Sequence, residues 1–335
     1  MQLPSGLFCF ELARGSTEPE GRSIRYSLMT EIGLRRAAAA GVKHSFDLDR
    51  IRSAALEEVG SGELQPGDYG LYLWADALAP GNERDQLVGR LRSAVDAAGG
   101  LAALEGMEVA WIVQGLALDG GDDELLRAAL DLLLGENQAP SGLFYHYGPG
   151  PRRRRFPNFA TQIYGVLALS TAAREGLDER AHTGARRAAD RLLELQLADG
   201  GWPWLYDADR GSVVEPYEVF SVHQHGMAPM ALLELAEVSG DGRYADAARH
   251  GLAWLHGRND LGIEMADAGA VMIYRSIRRR PPWNRIAVAA NLACSAAGLR
   301  PPLRTGRRLE LNAVCRPYEL GWLVEAWAGR EELLR

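Results

Sequence analysis

The sequence predicts an all-α ring of five to six helical hairpins, and three observations carry that prediction. First, "GDYGLYLWADAL" (67–78), "GMEVAWIVQGLAL" (106–118), "FPNFATQIYGVLAL" (156–169), "FSVHQHGMAPMALLEL" (220–235) and "RPYELGWLVEAW" (316–327) are apolar on nearly every face. A helix of that kind is enclosed by other helices. Second, the segments between them carry an apolar stripe at i, i+3, i+4, i+7 opposite a face of Arg, Asp and Glu, the pattern of a helix with one side in water. Third, the loops repeat. "SGLFCFE" (5–11) is nearly copied as "SGLFYHY" (141–147), and "LLLGENQAPSGLF", "LLELQLADGGWPW" and "WLHGRNDLGIEM" each close an amphipathic helix with a polar residue followed by Gly. Self-similarity of this sort is the signature of a repeat array.

In chain order, "SIRYSLMTEIGL" (23–34) is the first buried segment and 48–59 the first amphipathic one. The alternation continues through 67–78, 84–98, 106–118, 123–134, 156–169, 184–197, 220–235 and 241–255 to the buried 316–327. It weakens between 270 and 316. There "AGAVMIYRSI" (268–277) reads as β, and 284–298 suits either an inner or an outer helix. A chain of 335 residues exceeds the usual single core, so two domains or one large array is expected. The alternation selects the array: one domain over residues 1–335.

Composition narrows the function classes. The chain is 47% hydrophobic and 24% charged, with a net charge of −7, which argues against a nucleic-acid binder. No run of eighteen apolar residues is present, so no membrane span is expected. The opening "MQLPSGLFCFELARGSTEPE" lacks the basic start and apolar stretch of a signal peptide,. Three widely spaced cysteines, Cys9, Cys294 and Cys315, suit a reducing compartment,. The expected location is cytoplasmic. Lys43 is the single lysine, while "PRRRRF" (151–156) and "RSIRRRPPW" (275–283) hold eight of the 37 cations. Guanidinium clusters in an acidic chain suit carboxylates or phosphates as partners, and equally suit surface solvation or internal ion pairs. "DGGDDE" (119–124) reads as a turn and helix cap, without the spacing of a calcium loop,.

Each buried segment begins with polar or aromatic residues, and in a ring these beginnings face one cavity. They are Asp68 and Tyr69; Glu108 and Trp111; Asn158, Thr161 and Gln162; Tyr217, Glu218, His223 and His225; and Arg316, Tyr318 and Glu319. Taken singly, each is an ordinary cap or a structural histidine. Recurrence at the same end of five segments points to a wet, polar cavity, because enclosed polar groups must be paired or hydrated. "EPYEVFSVHQH" (215–225) is the richest stretch. His223, His225, Glu218, Tyr217, Glu108, Tyr318 and Glu319 supply acid and base types that burial can bring toward neutrality. Asn158, Gln162, Trp111 and Trp204 suit substrate hydroxyls and ring faces, and Arg275, Arg278 and Arg316 suit an anionic group. Cations from 152–155 are further candidates for that role. Trp202 is weighted toward structure. No metal or cofactor is expected: a His-x-His at a helix start sets its two rings at an awkward angle, and no carboxylate has clean ligand spacing.

"QLADGGW" (Gln196 to Trp202) resembles the glutamine-tryptophan motif, Q-x-x-x-G-x-W, of squalene–hopene and related terpenoid cyclases, and "GGWPW" resembles the repeat loops of α/α-toroid pectate lyases. The resemblance implies an (α/α)6 toroid, an architecture shared by terpenoid cyclases, six-hairpin glycosidases, polysaccharide lyases, sugar epimerases and lanthipeptide cyclases. "RFPNFATQIY", "VHQHGMAPMAL", "YRSIRR" and "CRPYELGW" are similar to bacterial proteins found with polysaccharide-biosynthesis genes. The resemblance and the polar helix starts together lead to the expectation of a carbohydrate-active enzyme of polysaccharide metabolism. It acts by acid/base proton transfer on an anionic sugar, uronate-type or diphosphate-linked, as a small molecule or an oligosaccharide. A class II-like terpenoid cyclase is the first alternative. Its D-x-D-D acid is met only by "DLDR" (47–50) and "DADR" (207–210), neither complete, so Glu108 or Asp68 would have to serve. A non-catalytic glycan-binding or scaffold protein is the second. Lanthipeptide cyclase chemistry is not implied, because Cys315 is followed by Arg316 rather than the histidine that its zinc site needs.

Overall fold

A computed structural model describes residues 1–334 apart from 60, 61, 63, 80, 121, 122, 151–153 and 303–307. Arg152 and Arg153, and the middle of the 119–124 turn, lie outside the described residues. The helices are α1 (Ile24–Ala39), α2 (Leu48–Leu56), α3 (Pro66–Leu78), α4 (Arg84–Ala97), α5 (Gly106–Asp119), α6 (Asp123–Asp131), α7 (Phe159–Arg174), α8 (Glu179–Leu195), α9 (Ala228–Ser239), α10 (Gly242–Leu255), α11 (Trp283–Ala296) and α12 (Pro317–Trp327). The strands are β1 (Leu12–Ala13), β2 (Leu205–Asp207), β3 (Ser212–Glu215), β4 (Val219–Phe220), β5 (Ala266–Asp267), β6 (Met272–Ile273), β7 (Ser276–Arg279), β8 (Leu309–Asn312) and β9 (Val314–Cys315).

Six of these helices form the inner ring. Contacts run α1–α3–α5–α7–α9–α12 and return from α12 to α1, which closes it. Behind them α2, α4, α6, α8 and α10 each pack on the preceding inner helix. The fold is an all-α (α/α)6-type toroid. Inner helices are nearly enclosed, as in α7, where Phe159 and the run Thr161–Ala172 are buried; outer helices bury one stripe, as in α8, with Ala181, Ala185, Ala188, Ala189 and Leu192. Close approach is set by glycine. A Cβ on Gly33 of α1 would lie 2.1 Å from the Gly321 carbonyl of α12, so the two backbones touch where any side chain would part them.

The zone 270–316 differs in detail from a hairpin. The β-like 268–277 stretch supplies β6 and β7, and β7 lies between β4 and β8 in a three-stranded antiparallel sheet. The 284–298 segment is α11, neither inner nor outer: it packs on β3 and β7. Among the described residues no α-helix packs behind α12, so five outer helices serve six inner ones.

The loop repeat is wider than the single glutamine-tryptophan motif read from the sequence. Gln2, Gln138 and Gln196 each donate a side-chain N–H to the carbonyl four residues on, at Gly6, Gly142 and Gly200. Gln138 and Gln196 also donate to an outer-helix carbonyl, Gly184 of α8 and Ala247 of α10. Two residues past each glycine stands a buried aromatic: Phe8, Phe144 or Trp202. Gly142 and Gly200 have φ of 97° and 91°, and a Cβ there would meet the carbonyls of Arg187 and His250 at 2.5 and 2.2 Å. The repeat is therefore Q-x-x-x-G-x-aromatic. Its last position accepts Phe, which hides two copies from a search for tryptophan.

Candidate functional site

The starts of α1, α5, α7 and α12, together with Trp204, Phe220, the turn that leads into α9 and Arg275, line a cavity of about 220 Å³, to which α3 contributes no residue. Three starts share one capping device. In α3, α5 and α12 the third helical residue, Asp68, Glu108 or Glu319, accepts the N–H of the residue that caps its helix: Gln65, Glu105 or Arg316. This satisfies a donor that the helix cannot. Two of the same carboxylates also hold an arginine. Asp68 takes a bidentate pair from Arg25 at 2.6 and 3.1 Å, and Glu319 accepts from Arg275. None of the three capping carboxylates is among the residues that line the cavity, whereas Arg25 and Arg275 are.

The histidine stretch is shaped by Pro229. Residues His223–Met227 form a π-helical turn that runs into α9, and such turns accommodate an extra residue in a helix. Pro229 has no N–H to give to the carbonyl four residues back. That carbonyl, on His225, accepts instead from Trp327 Nε1 at 2.7 Å. The turn places His223 on the cavity wall and His225 away from it. His223 lies among Phe159, Phe220 and Trp204, with ring centroids 4.5, 5.1 and 6.1 Å away, and Trp204 is nearly parallel to it. Burial, then the charge of Arg275 and the neighbouring His225, hold its pKa well below the imidazole norm. His223 is therefore a neutral base at pH 7. His225 is buried with neither ring nitrogen bonded to protein, and burial lowers its pKa to about 3.

The remaining wall is aromatic and aliphatic, with Met29, Met107, Ala160 and Met227 among the rings. Tyr318 stacks on Tyr26 at 4.4 Å, Trp111 meets Tyr164 edge-on at 5.2 Å, and Arg25 lies over the Trp111 ring. Burial first, then the adjacent Glu319, keep the Tyr318 hydroxyl protonated. Glu319 is itself raised to about 7 by burial, against the pull of Arg275 and Arg316. Burial likewise raises Glu108. Asn158, which lines the cavity, caps α7 by accepting from Thr161 N–H.

Of the residues singled out in the sequence, the cavity brings together His223, Tyr318, Asn158, Trp111, Trp204 and Arg275. Glu319 and Glu108, in the first turns of α12 and α5, are not among its lining residues. Others are held elsewhere. Tyr217 donates to Asp260 within a small separate core, and Glu218 accepts from Ser276 and Asn312 across the sheet. Gln162 places both ends of its amide on the Phe144 backbone at 2.7 Å, fixing the loop. Arg278 pairs with Glu310, and Arg316 with Glu11 and the Tyr26 hydroxyl. Arg155 forms a bidentate pair with Asp207, and Arg154 covers the Tyr145 ring. Arg25, Tyr26 and Tyr164 were not among the residues singled out. Arg25 and Tyr26 open α1, so the rule used for the other segments reaches them as well.

Among the described residues no three His, Cys, Asp or Glu side chains gather as a metal site, and no helix is long and apolar enough to cross a membrane. No protein-family model and no curated protein matches the chain. Solved structures do. A sugar epimerase from a ruminal bacterium is similar at a TM-score of 0.64 and 11% identity, over 98% of this chain and 93% of that one. A cellobiose 2-epimerase from Bacillus thermoamylovorans B4167 gives 0.65 and 10%, over 98% and 94%. An unsaturated glucuronyl hydrolase specific for heparin gives 0.62 and 13%, over 98% and 92%. At these identities the likeness establishes the toroid.

Proposed function

We propose that the protein is a carbohydrate-active enzyme that moves a proton at a sugar carbon bound in the central cavity, with His223 as the base. The observation that carries this reading is a neutral imidazole and the Arg275 guanidinium on one wall, with no carboxyl group among the described lining residues. Glycoside hydrolysis by paired carboxyls uses two of them about 5–9.5 Å apart across the bond, and this cavity offers a histidine instead. A volume of about 220 Å³ is below the roughly 300–1,000 Å³ of sites for drug-sized ligands, which suits one sugar ring. The epimerases and the uronate-processing hydrolase that share the fold support a sugar as the ligand.

In the reaction we infer, a carbonyl or carboxylate oxygen of the sugar rests against Arg275. The free nitrogen of His223 takes the proton from the adjacent carbon, and the bonding pair moves to the oxygen as an enolate. Arg275 stabilises the charge that develops there. Return of a proton to the other face gives the epimer; loss of a β-substituent from the same enolate gives a lyase product. Tyr26 and Tyr318 offer hydroxyl protons, and Trp111, Trp204 and Asn158 hold the ring. An anionic sugar of polysaccharide metabolism is the substrate class this arrangement favours, because Arg275 lines the cavity and its partner Glu319, raised to about 7 by burial, offsets only part of its charge. Deuterium exchange from solvent into sugars and uronosyl oligosaccharides tests the reading: wild type exchanges and His223→Ala does not.

A further inference from the structure

Beside the central cavity lies a second one of about 380 Å³, and Arg25 and Tyr26 line both. Phe10, Arg22, Ser23, Ile24, Leu64 and Asp68 complete its wall. The aromatic run of the inner cavity continues into it: Tyr318 stacks on Tyr26, and Tyr26 stacks on Phe10 at 5.4 Å with planes 19° apart. Phe10 is 38% exposed, a large ring left in contact with water at a cavity edge. The charges there are paired, Arg22 with Glu58, Arg25 with Asp68, and Arg316, which lies over the Phe10 ring at 4.1 Å, with Glu11. Paired guanidiniums and carboxylates still have hydrogen-bonding sites to give, and they offer no net charge to an anion. An aromatic ring beside neutral, hydrogen-bonding walls fits a polyol ring, whose C–H groups meet the part of Phe10 that Tyr26 and Arg316 leave in water while its hydroxyls meet the polar groups.

We propose that this outer compartment is a second sugar subsite, so that the substrate is a disaccharide or longer. The reacting ring occupies the central cavity, the next ring lies beside Phe10, and the linkage passes Arg25 and Tyr26. This inference rests on the sugar-processing reading above. The test is binding of monosaccharides and of disaccharides built from them, glucose against cellobiose and glucuronate against its disaccharides, read by the fluorescence of Trp111 and Trp204. Disaccharides are expected to bind at least tenfold tighter than their monosaccharides. Phe10→Ala removes that ratio and leaves monosaccharide affinity unchanged, whereas Phe10→Tyr, which keeps the ring, retains it. Leu64→Trp fills the compartment from its other side and also abolishes the ratio. Equal affinities in wild type, or a ratio indifferent to both Phe10→Ala and Leu64→Trp, overturn the subsite while the sugar-processing reading stands. If no sugar in either set binds, both fall.

Discussion

Arg275 donates to Glu319, the third residue of α12, whose other oxygen accepts the N–H of the residue capping that helix. One carboxylate therefore anchors a helix start and aims a guanidinium into the cavity. Removing one partner of a buried pair strands the other and costs about 3–5 kcal/mol. Arg275→Ala and Glu319→Ala are each expected to destabilise on that scale, and the double variant to cost less than their sum, by about 1–3 kcal/mol of coupling. Denaturant unfolding of the four proteins measures this; strict additivity contradicts the pairing.

The staple loops set a second expectation. Gly142→Ala and Gly200→Ala place a methyl against a backbone carbonyl at a φ that L-residues rarely adopt. Gly176, with φ of 68° and open space around it, has only the backbone term, roughly 1–2 kcal/mol. Both staple variants are expected to lose at least about 2 kcal/mol more than Gly176→Ala, measured as unfolding free energies. Equal losses at all three sites contradict the close packing.

Buried titratable groups make stability depend on pH in opposite senses. The folded pKa of His225 is depressed from 6.5 to about 3 by burial. Its stabilisation is present above pH 6.5 and is lost as pH falls toward 3, because folding then holds back a proton that the unfolded chain would bind. His225→Leu is expected to gain melting temperature relative to wild type progressively below pH 6.5. Glu319 is raised from 4.5 to about 7, so its contribution is present below pH 4.5 and is lost as pH rises through 7. Glu319→Gln is expected to gain relative to wild type over that rise. Parallel melting curves across pH 4–8 contradict both assignments.

The fold was more legible than the site, for a physical reason. Enclosure leaves a composition signal, so the inner helices stood out by their apolar faces, and only α11, which packs on strands rather than in the ring, lacked a clear assignment. A side chain's direction depends on how its helix begins. His223 and His225 are two residues apart, and the π turn ahead of Pro229 separates them into cavity and core. Gln162 and Tyr217 carry the polarity of a binding site and spend it on a loop backbone and on Asp260. Arg25 is recognisable once Asp68, 43 residues away, is seen to hold it, a pairing that sequence spacing does not encode.

Catalysis by a neutral, buried imidazole carries its own pH signature. Burial and Arg275 keep His223 unprotonated below the ordinary range, so the acid limb of kcat/KM, which reports the free enzyme, is expected to fall below pH 6.5. A limb at or above 6.5 points to a different base.

The most direct measurement is the exchange of solvent deuterium into a bound sugar, followed by NMR across uronosyl and neutral oligosaccharides. Wild type is expected to incorporate deuterium at the carbon beside the carbonyl or carboxylate. His223→Ala is expected to lose about 10²–10⁴-fold of that rate, the usual worth of a positioned base, and Arg275→Ala to lose a comparable share, while His225→Ala retains exchange in whatever fraction remains folded. Exchange that survives intact in His223→Ala, or a wild type that exchanges no sugar and instead cyclises a polyprenyl substrate, contradicts the assignment of His223 as the base of a sugar-processing enzyme.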